Sequence, residues 1–410
     1  MTEIVISGMG IVSALGNNVE ENLQSLLNNQ SGIASLHYLK TSHTEFPVGE
    51  VKMTNEEMLS LLNISEEQPT IRTALMGILA LREALQSASL LEFGTQNSTL
   101  GTKIALVSGT TVGGMDKSEQ YYIDFLGNDT RNEYISTHDC GTCTEIIADY
   151  FGIFSQVDTI STACSSAANA IVLGAELLKS GRADIVVAGG SECITKFHLN
   201  GFNTLMILDR EPCRPFDATR GGLNLGEGAA YIVMETEEHY LHRVASNSLN
   251  TKLLCKLSGY SNTCDAYHQT ASSPDGEGAY LAMKQAIEDA NLQPEDIDYI
   301  NAHGTGTSNN DISEGTAIVR LFEDKIPSVS STKSFTGHTT SAAGGVESVI
   351  SILALQHNFI PVNLNFSEKM PELPFTPATN QQPSKPLQHI LKNSFGFGGN
   401  DTSLIFSKIN

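Results

Sequence analysis

The chain has 410 residues, 40% of them hydrophobic, enough for a large buried core and, on length alone, two or three domains. A net charge of −22 argues against nucleic acid or an anionic membrane surface as a partner. No run of about 18 apolar residues is present to span a bilayer. The start of the chain lacks the basic cluster of a secretory leader, and seven scattered cysteines fit a reducing cytoplasm better than a disulfide framework.

Short apolar runs alternate with helical spacing, which predicts an α/β fold with buried, largely parallel sheets. In chain order, residues 73–87 read as a helix and 104–107 as a strand. Residues 115–150, rich in Tyr, Asp, Asn and Thr, read as an insertion that lines or caps a site. A short strand then runs into a helix over 165–179 with Gly181 as its stop, followed by strands at 185–188 and 231–235. Helices over 278–290 and 342–356, an irregular Pro-rich stretch over 363–385 and a last strand at 404–406 complete the chain. A weak repeat runs through it: 4–10 echoes 255–261, 162–168 echoes 339–345, and 234–235 echoes 406–407. Two halves follow, 1–250 and 251–410, joined at the linker-like 246–251.

Three kinds of residue stand out chemically. Cys164, in Asp158-Thr-Ile-Ser-Thr-Ala-Cys164-Ser-Ser, falls where a strand gives way to a helix. A helix N-terminus carries partial positive charge and favours the thiolate, which is the nucleophile. A lone cysteine is more often a small buried hydrophobe. Here two histidines in glycine-rich settings follow it, in Asn301-Ala-His303-Gly-Thr305-Gly-Thr307 and in Lys333-Ser-Phe-Thr-Gly-His338. Glycine beside them lets a substrate approach the backbone closely. A Gly396-Phe397-Gly398-Gly399 turn comes last. His268, His357 and His389 lack such surroundings and read as structural. Cys140-Gly-Thr-Cys143 has no second pair, and no His/Asp/Glu cluster has ligand spacing, so no metal is expected.

These pieces, with Val187-Ala-Gly-Gly-Ser-Glu192, Arg214-Pro-Phe-Asp217, Leu225-Gly-Glu-Gly-Ala229 and Asp265-Ala-Tyr-His268, resemble the β-ketoacyl-acyl-carrier-protein synthases of the thiolase superfamily, in their elongating Cys-His-His form. The resemblance covers nearly the whole chain. It implies a thiolase-like fold, two pseudo-repeated halves in a five-layered α-β-α-β-α arrangement. It implies acyl transfer to Cys164, then decarboxylative Claisen condensation with a malonyl thioester. No cofactor is expected on the chain itself, since phosphopantetheine arrives on the acyl carrier protein. A cytoplasmic homodimer is expected, with a heterodimer open.

The resemblance also assigns roles. His303 and His338 would offer neutral N–H donors to the enolate, a task a carboxylate would oppose. Lys333 would lie in the site and pair with Glu314, because burying a lysine alone is costly. The N–H of Phe397, beside that of Cys164, would complete an oxyanion hole, and its ring would gate the acyl pocket. Thr305 and Thr307 would contact pantetheine, and Val112 and His138 would line the acyl pocket. Arg210, helped by Arg72 and Arg131, would dock the acidic carrier protein against the repulsion of an acidic chain.

Three stretches depart from the usual pattern. His138-Asp139 replace an apolar segment that, in the family, walls the partner subunit's acyl pocket. They suit a polar or aromatic chain end, or else a shifted register that leaves both in solvent. Gly306 stands where serine is usual, and Asn400-Asp401 where Thr-Asn is usual. Specialised polyene or polyketide-like pathways therefore stand beside fatty-acid elongation. Neighbouring readings fare worse. A degradative thiolase needs a second cysteine near its C-terminus, yet the last is Cys264. Chalcone-type synthases have Asn where His338 stands. A chain-length-factor-like partner subunit usually lacks the nucleophile that Cys164 supplies.

Overall fold

The computed structural model describes residues 2–91, 101–127, 130–247 and 251–409. Among the described residues ten strands are formed: β1 (Ile4–Ser13), β2 (Ile104–Gly109), β3 (Gln156–Ile160), β4 (Ile185–Glu192), β5 (Gly228–Thr236), β6 (Cys255–Cys264), β7 (Tyr299–Asn301), β8 (Ser328–Ser330), β9 (His389–Gly396) and β10 (Asn400–Ser407). They run in the order β3-β2-β4-β5-β1-β6-β10-β9-β7-β8. The first five and the last five thus follow one pattern, mirrored about the β1–β6 junction, where Ile4–Ile6 pair with Cys255–Leu257.

Pairing is mixed rather than largely parallel. β2 is parallel to β3 and β4, and β7 to β8 and β9, while the pairs from β4 through β9 across the centre are antiparallel. Strand composition reports burial on both faces, which central antiparallel strands between helices share with parallel ones.

Side-chain alternation then builds five layers. Ile6, Ile11, Val186, Ile232 and Met234 face a central apolar cluster shared by the helices Ser166–Lys179 and Ala343–His357. Ile104, Leu106, Val187 and Val233 face the other way, onto the helix Arg72–Ser87. On the second half, Ile300, Leu391 and Ile405 face the helices Glu277–Asp289 and Ser308–Phe322. Both faces of each half-sheet are therefore covered, the arrangement α-β-α-β-α.

Residues 115–150 form the helix Met115–Gly127, two short 3-10 turns and most of the helix Cys140–Phe151. The stretch 363–385 has neither helix nor strand. The expected linker begins inside the helix Glu237–Asn247, and its residues 248–250 lie outside the described residues.

Candidate active site

Cys164 sits in the turn between β3 and the helix Ser166–Lys179, two residues before that helix begins. Ala163 holds a left-handed φ of 51°, a costly conformation for a non-glycine residue. The turn is locked by its own hydroxyls: Ser166 Oγ accepts from Thr162 N–H at 2.9 Å and donates to Ala163 O at 2.6 Å, and Ser165 Oγ donates to Thr162 O at 2.8 Å. The strained residue aims the thiol into a cavity of about 230 Å³ whose walls include His303, His338, Thr305, Thr307 and Phe397.

His338 follows the short helix Lys333–Thr336 and is pinned by its backbone, donating to Asn224 O at 2.7 Å and accepting from Gly226 N–H at 2.9 Å. Its Nε2 lies 3.1 Å from Cys164 Sγ, while Nδ1 is buried without a partner among the described residues. An unpaired buried acceptor is tolerated better than an unpaired donor, so the hydrogen belongs on Nε2. His303 packs edge-on at 5.3 Å between ring centroids. Its Nδ1 lies 3.4 Å from the Lys333 ammonium, which has only hydrogens to offer, so here too Nε2 carries the hydrogen. Burial, reinforced by the positive charge of Lys333, pushes both imidazoles well below the ordinary histidine range. At neutral pH the site therefore holds two uncharged imidazoles.

Burial also raises the Cys164 thiol, to about 11, although Lys333 and an N–H from Phe397 to the sulfur both favour the thiolate. The helix start does not outweigh burial. At rest the group is a thiol, and its proton must leave as chemistry begins, while the His338 Nε2–H beside it steadies the charge that develops on sulfur. The turn that aims Phe397 N–H at Cys164 needs its glycines. A Cβ on Gly396 would stand 2.8 Å from Thr162 O, and Gly398 has φ 84°. The half-buried Phe397 ring stacks on Phe202 at 6.0 Å. Thr305 and Thr307 join their hydroxyls at 2.8 Å, and Thr307 caps the helix Ser308–Phe322. Gly306 between them has φ 82°, and a Cβ there would lie 2.6 Å from Gly222 O, so the serine usual in the family meets both strain and a clash.

Several expectations need correction. Lys333 does not pair with Glu314. Its ammonium meets Glu347, on the helix Ala343–His357, and His303 O at 2.5 Å. Glu314 is committed elsewhere, accepting N–H bonds from His303 at 2.8 Å, Gly304 at 2.7 Å and Asn393 at 3.0 Å. It holds the His303 loop in place. Arg72 cannot dock a partner: it is buried, and its five donors are spent on Glu227, Met53 O, Asn55 and Val51 O. Val112 is buried away from the cavity wall, its N–H 3.3 Å from Glu192. The 115–150 insertion likewise gives no wall to the cavity of this chain. His138 is exposed, with Nδ1 2.8 Å from Ser118 Oγ.

Arg210 and Arg131 are both exposed, Arg210 a few residues beyond the cavity-lining Ile207 and Arg131 3.8 Å from Glu133. Among the described residues no group of three or more His, Cys, Asp or Glu stands close enough to hold a metal ion, and no helix is long and apolar enough to cross a membrane. Glu347 and Lys392 went unread in the sequence. Each is a single charge within an apolar buried element, and that isolation was the available signal.

Comparison with known proteins bears on the same residues. A relative from Coxiella burnetii, 3-oxoacyl-[acyl-carrier-protein] synthase 2, is 32% identical over 99% of this chain and 98% of its own length. The protein of that name from Staphylococcus aureus is 30% identical over the same shares. Among solved structures, the ishigamide ketosynthase/chain length factor superposes with a TM-score of 0.89 at 27% identity over the full length of both chains. A ketosynthase in complex with its chain length factor from Xenorhabdus doucetiae gives 0.83 at 30% identity over 100% of this chain and 98% of that one. The family descriptions "Beta-ketoacyl synthase, N-terminal domain" and "Beta-ketoacyl synthase, C-terminal domain" match residues 1–239 and 254–367, so the chain belongs to the β-ketoacyl synthase family of thiolase-like enzymes.

Proposed function

We propose that the chain is a 3-oxoacyl-acyl-carrier-protein synthase, an acyltransferase that loads an acyl group on Cys164 and extends it with malonyl-carrier protein. The observation that carries this is Cys164 Sγ at 3.1 Å from a neutral His338, with a second neutral imidazole, His303, beyond it in one cavity. Loading begins as Cys164 sulfur attacks the acyl thioester carbonyl; its proton passes to the departing pantetheine sulfur, since His338 Nε2 already carries a hydrogen. The oxyanion forms against the N–H of Phe397 and of Cys164. Collapse expels the pantetheine thiol, which carries away the proton from Cys164. Malonyl-carrier protein then enters. Its carboxylate leaves as CO2, and the electron pair moves onto the thioester oxygen, where the Nε2–H groups of His303 and His338 receive the charge. The enolate carbon attacks the acyl-Cys164 carbonyl. The carbon–sulfur bond breaks, 3-oxoacyl-carrier protein departs, and the Cys164 thiolate takes up a proton from water to return to the thiol. Neutral imidazoles suit this step, since an imidazolium would protonate the enolate carbon before condensation.

The pantetheine arm would arrive along Thr305 and Thr307, still attached to the carrier protein, so the chain itself needs no cofactor. Exposed Arg210 and Arg131 offer charge to that acidic partner. Edge strand β3 and, on the insertion, exposed Tyr122, Ile123, Leu126 and Ile135 favour a dimer, with a second copy or a related subunit. His138, exposed on that same insertion, is then available to the neighbouring subunit's acyl pocket. All seven cysteines are free, which suits the cytoplasm. A chain-length-factor role is disfavoured because the nucleophile is present and aimed. Incubation with acyl- and malonyl-carrier protein tests the reading: release of CO2 with formation of a product two carbons longer supports it, and neither product forming refutes it.

A further inference from the structure

Glu347 is one buried carboxylate shared between two buried ammoniums. Lys333 meets its Oε1, and Lys392, on β9, stands 3.2 Å from Oε2. All three side chains are at most 2% exposed. Lys392 has no other carboxylate within ion-pair distance among the described residues, and its second contact is Ser394 Oγ. No step of the condensing reaction proposed above uses it. A buried lysine in the middle of a sheet is expensive and calls for a reason.

We propose that Lys392 is a positioning residue of the condensing site, and this rests on the condensing reading. With Lys392 present, Glu347 is held from both sides. Lys333 then remains turned toward His303, donating to its carbonyl and facing Nδ1. Without Lys392, Glu347 has a single cation to satisfy it and closes wholly on Lys333, at the expense of the His303 contact. The charge changes as well. Lys333, Lys392 and Glu347 together leave one positive charge beside the two imidazoles, and removal of Lys392 leaves none. That excess favours the enolate oxyanion and keeps the imidazoles neutral. The positive charge of Lys392 acts on both His303 and His338.

The groups facing Lys392 are few. Glu347 comes from the central helix and Lys333 from the short helix before His338, while Glu314 acts from the helix Ser308–Phe322. The residues in register on the flanking strands, Asn301 of β7 and Leu404 of β10, are uncharged. Burial lowers the Lys392 ammonium to about 8. The positive excess therefore disappears just above neutral pH.

The test compares wild type with Lys392→Met and Lys392→Arg, measuring Cys164 acylation and condensation separately between about pH 6 and pH 9, with thermal melting as a fold control. In the wild type, condensation is expected to fall with a midpoint near 8 while acylation does not. Lys392→Met is expected to condense about tenfold or more slower at pH 7, to acylate within about twofold, and to lose the alkaline fall, with Lys392→Arg recovering the rate and shifting the fall upward. Unchanged condensation in Lys392→Met, or an alkaline fall that survives in it, overturns the proposal. If Lys392→Met does not fold, the wild-type profile decides: a fall in condensation alone supports the proposal, and a flat profile overturns it. A wild type that neither acylates nor condenses overturns instead the condensing reading on which the proposal rests.

Discussion

Two turns occupy matching places in the two halves and have opposite fates. Thr162-Ala163-Cys164 precedes the first central helix, and Thr339-Thr340-Ser341 precedes the second. Both place a non-glycine residue in the left-handed region, Ala163 at φ 51° and Thr340 at φ 46°. The next residue in the first turn is a thiol facing a cavity and a histidine. Its counterpart, Ser341, is fully buried and gives its hydroxyl to Glu192 at the end of β4. Glu192 also gathers Thr110 Oγ1 and the N–H groups of Thr111 and Val112. The strained turn is therefore a property of the repeated scaffold rather than of catalysis. Function comes from what the neighbouring loops bring to it, and the second half brings its groups to the first half's turn.

This comparison can be broken in several ways. The largest effect concerns the Cys164 thiol. Burial holds its pKa near 11. Alkylation of Cys164 by iodoacetamide in the substrate-free protein should rise about tenfold per pH unit from pH 6 to 9 without levelling. A plateau at neutral pH would show a resting thiolate and contradict the account of the first turn. Next comes His303→Ala, which removes one enolate donor. Decarboxylation of malonyl-carrier protein should drop about 10²–10³-fold while Cys164 still acylates. Equal loss of both steps would mean that His303 serves the nucleophile as well.

Ser341→Ala tests the second turn. It should leave acylation intact and cost about 1–3 kcal/mol of stability, read as a lower melting temperature, because a buried carboxylate loses one donor. Loss of acylation with an unchanged melt would give Ser341 a catalytic part. The smallest change is Gly306→Ser, which restores the family's usual residue. The positive φ and the close Gly222 carbonyl predict a loss of about 1–3 kcal/mol and weaker carrier-protein binding. A more stable variant would show that the loop relaxes freely.

Much of this was legible in the sequence, for identifiable reasons. Local hydrophobic periodicity set four helices to within a residue and placed four of the strands, each short by up to four residues at an end, since the buried faces are continuous. Cys164, His303, His338 and Phe397 stood out because each lies in a small-residue turn that packing alone does not demand. Strand direction was not legible, because a strand buried on both faces looks the same either way. Charge pairing was the other gap. Arg72 meets Glu227, 155 residues away, and Lys392 meets Glu347 across the central layer. Nothing local announces such partners. The 115–150 insertion was read as lining or capping a site; in the isolated chain it lines no part of the Cys164 cavity and turns several apolar side chains to solvent.

The most direct measurement is the intact mass of the protein after incubation with a series of acyl-carrier-protein thioesters of varied length and polarity, beside Cys164→Ala. The account predicts a covalent acyl adduct on the wild type, absent from the variant, with the preferred acyl group reporting the chain the pocket accepts. Folded protein that gains no mass from any thioester, or a variant that gains as much as the wild type, would contradict it.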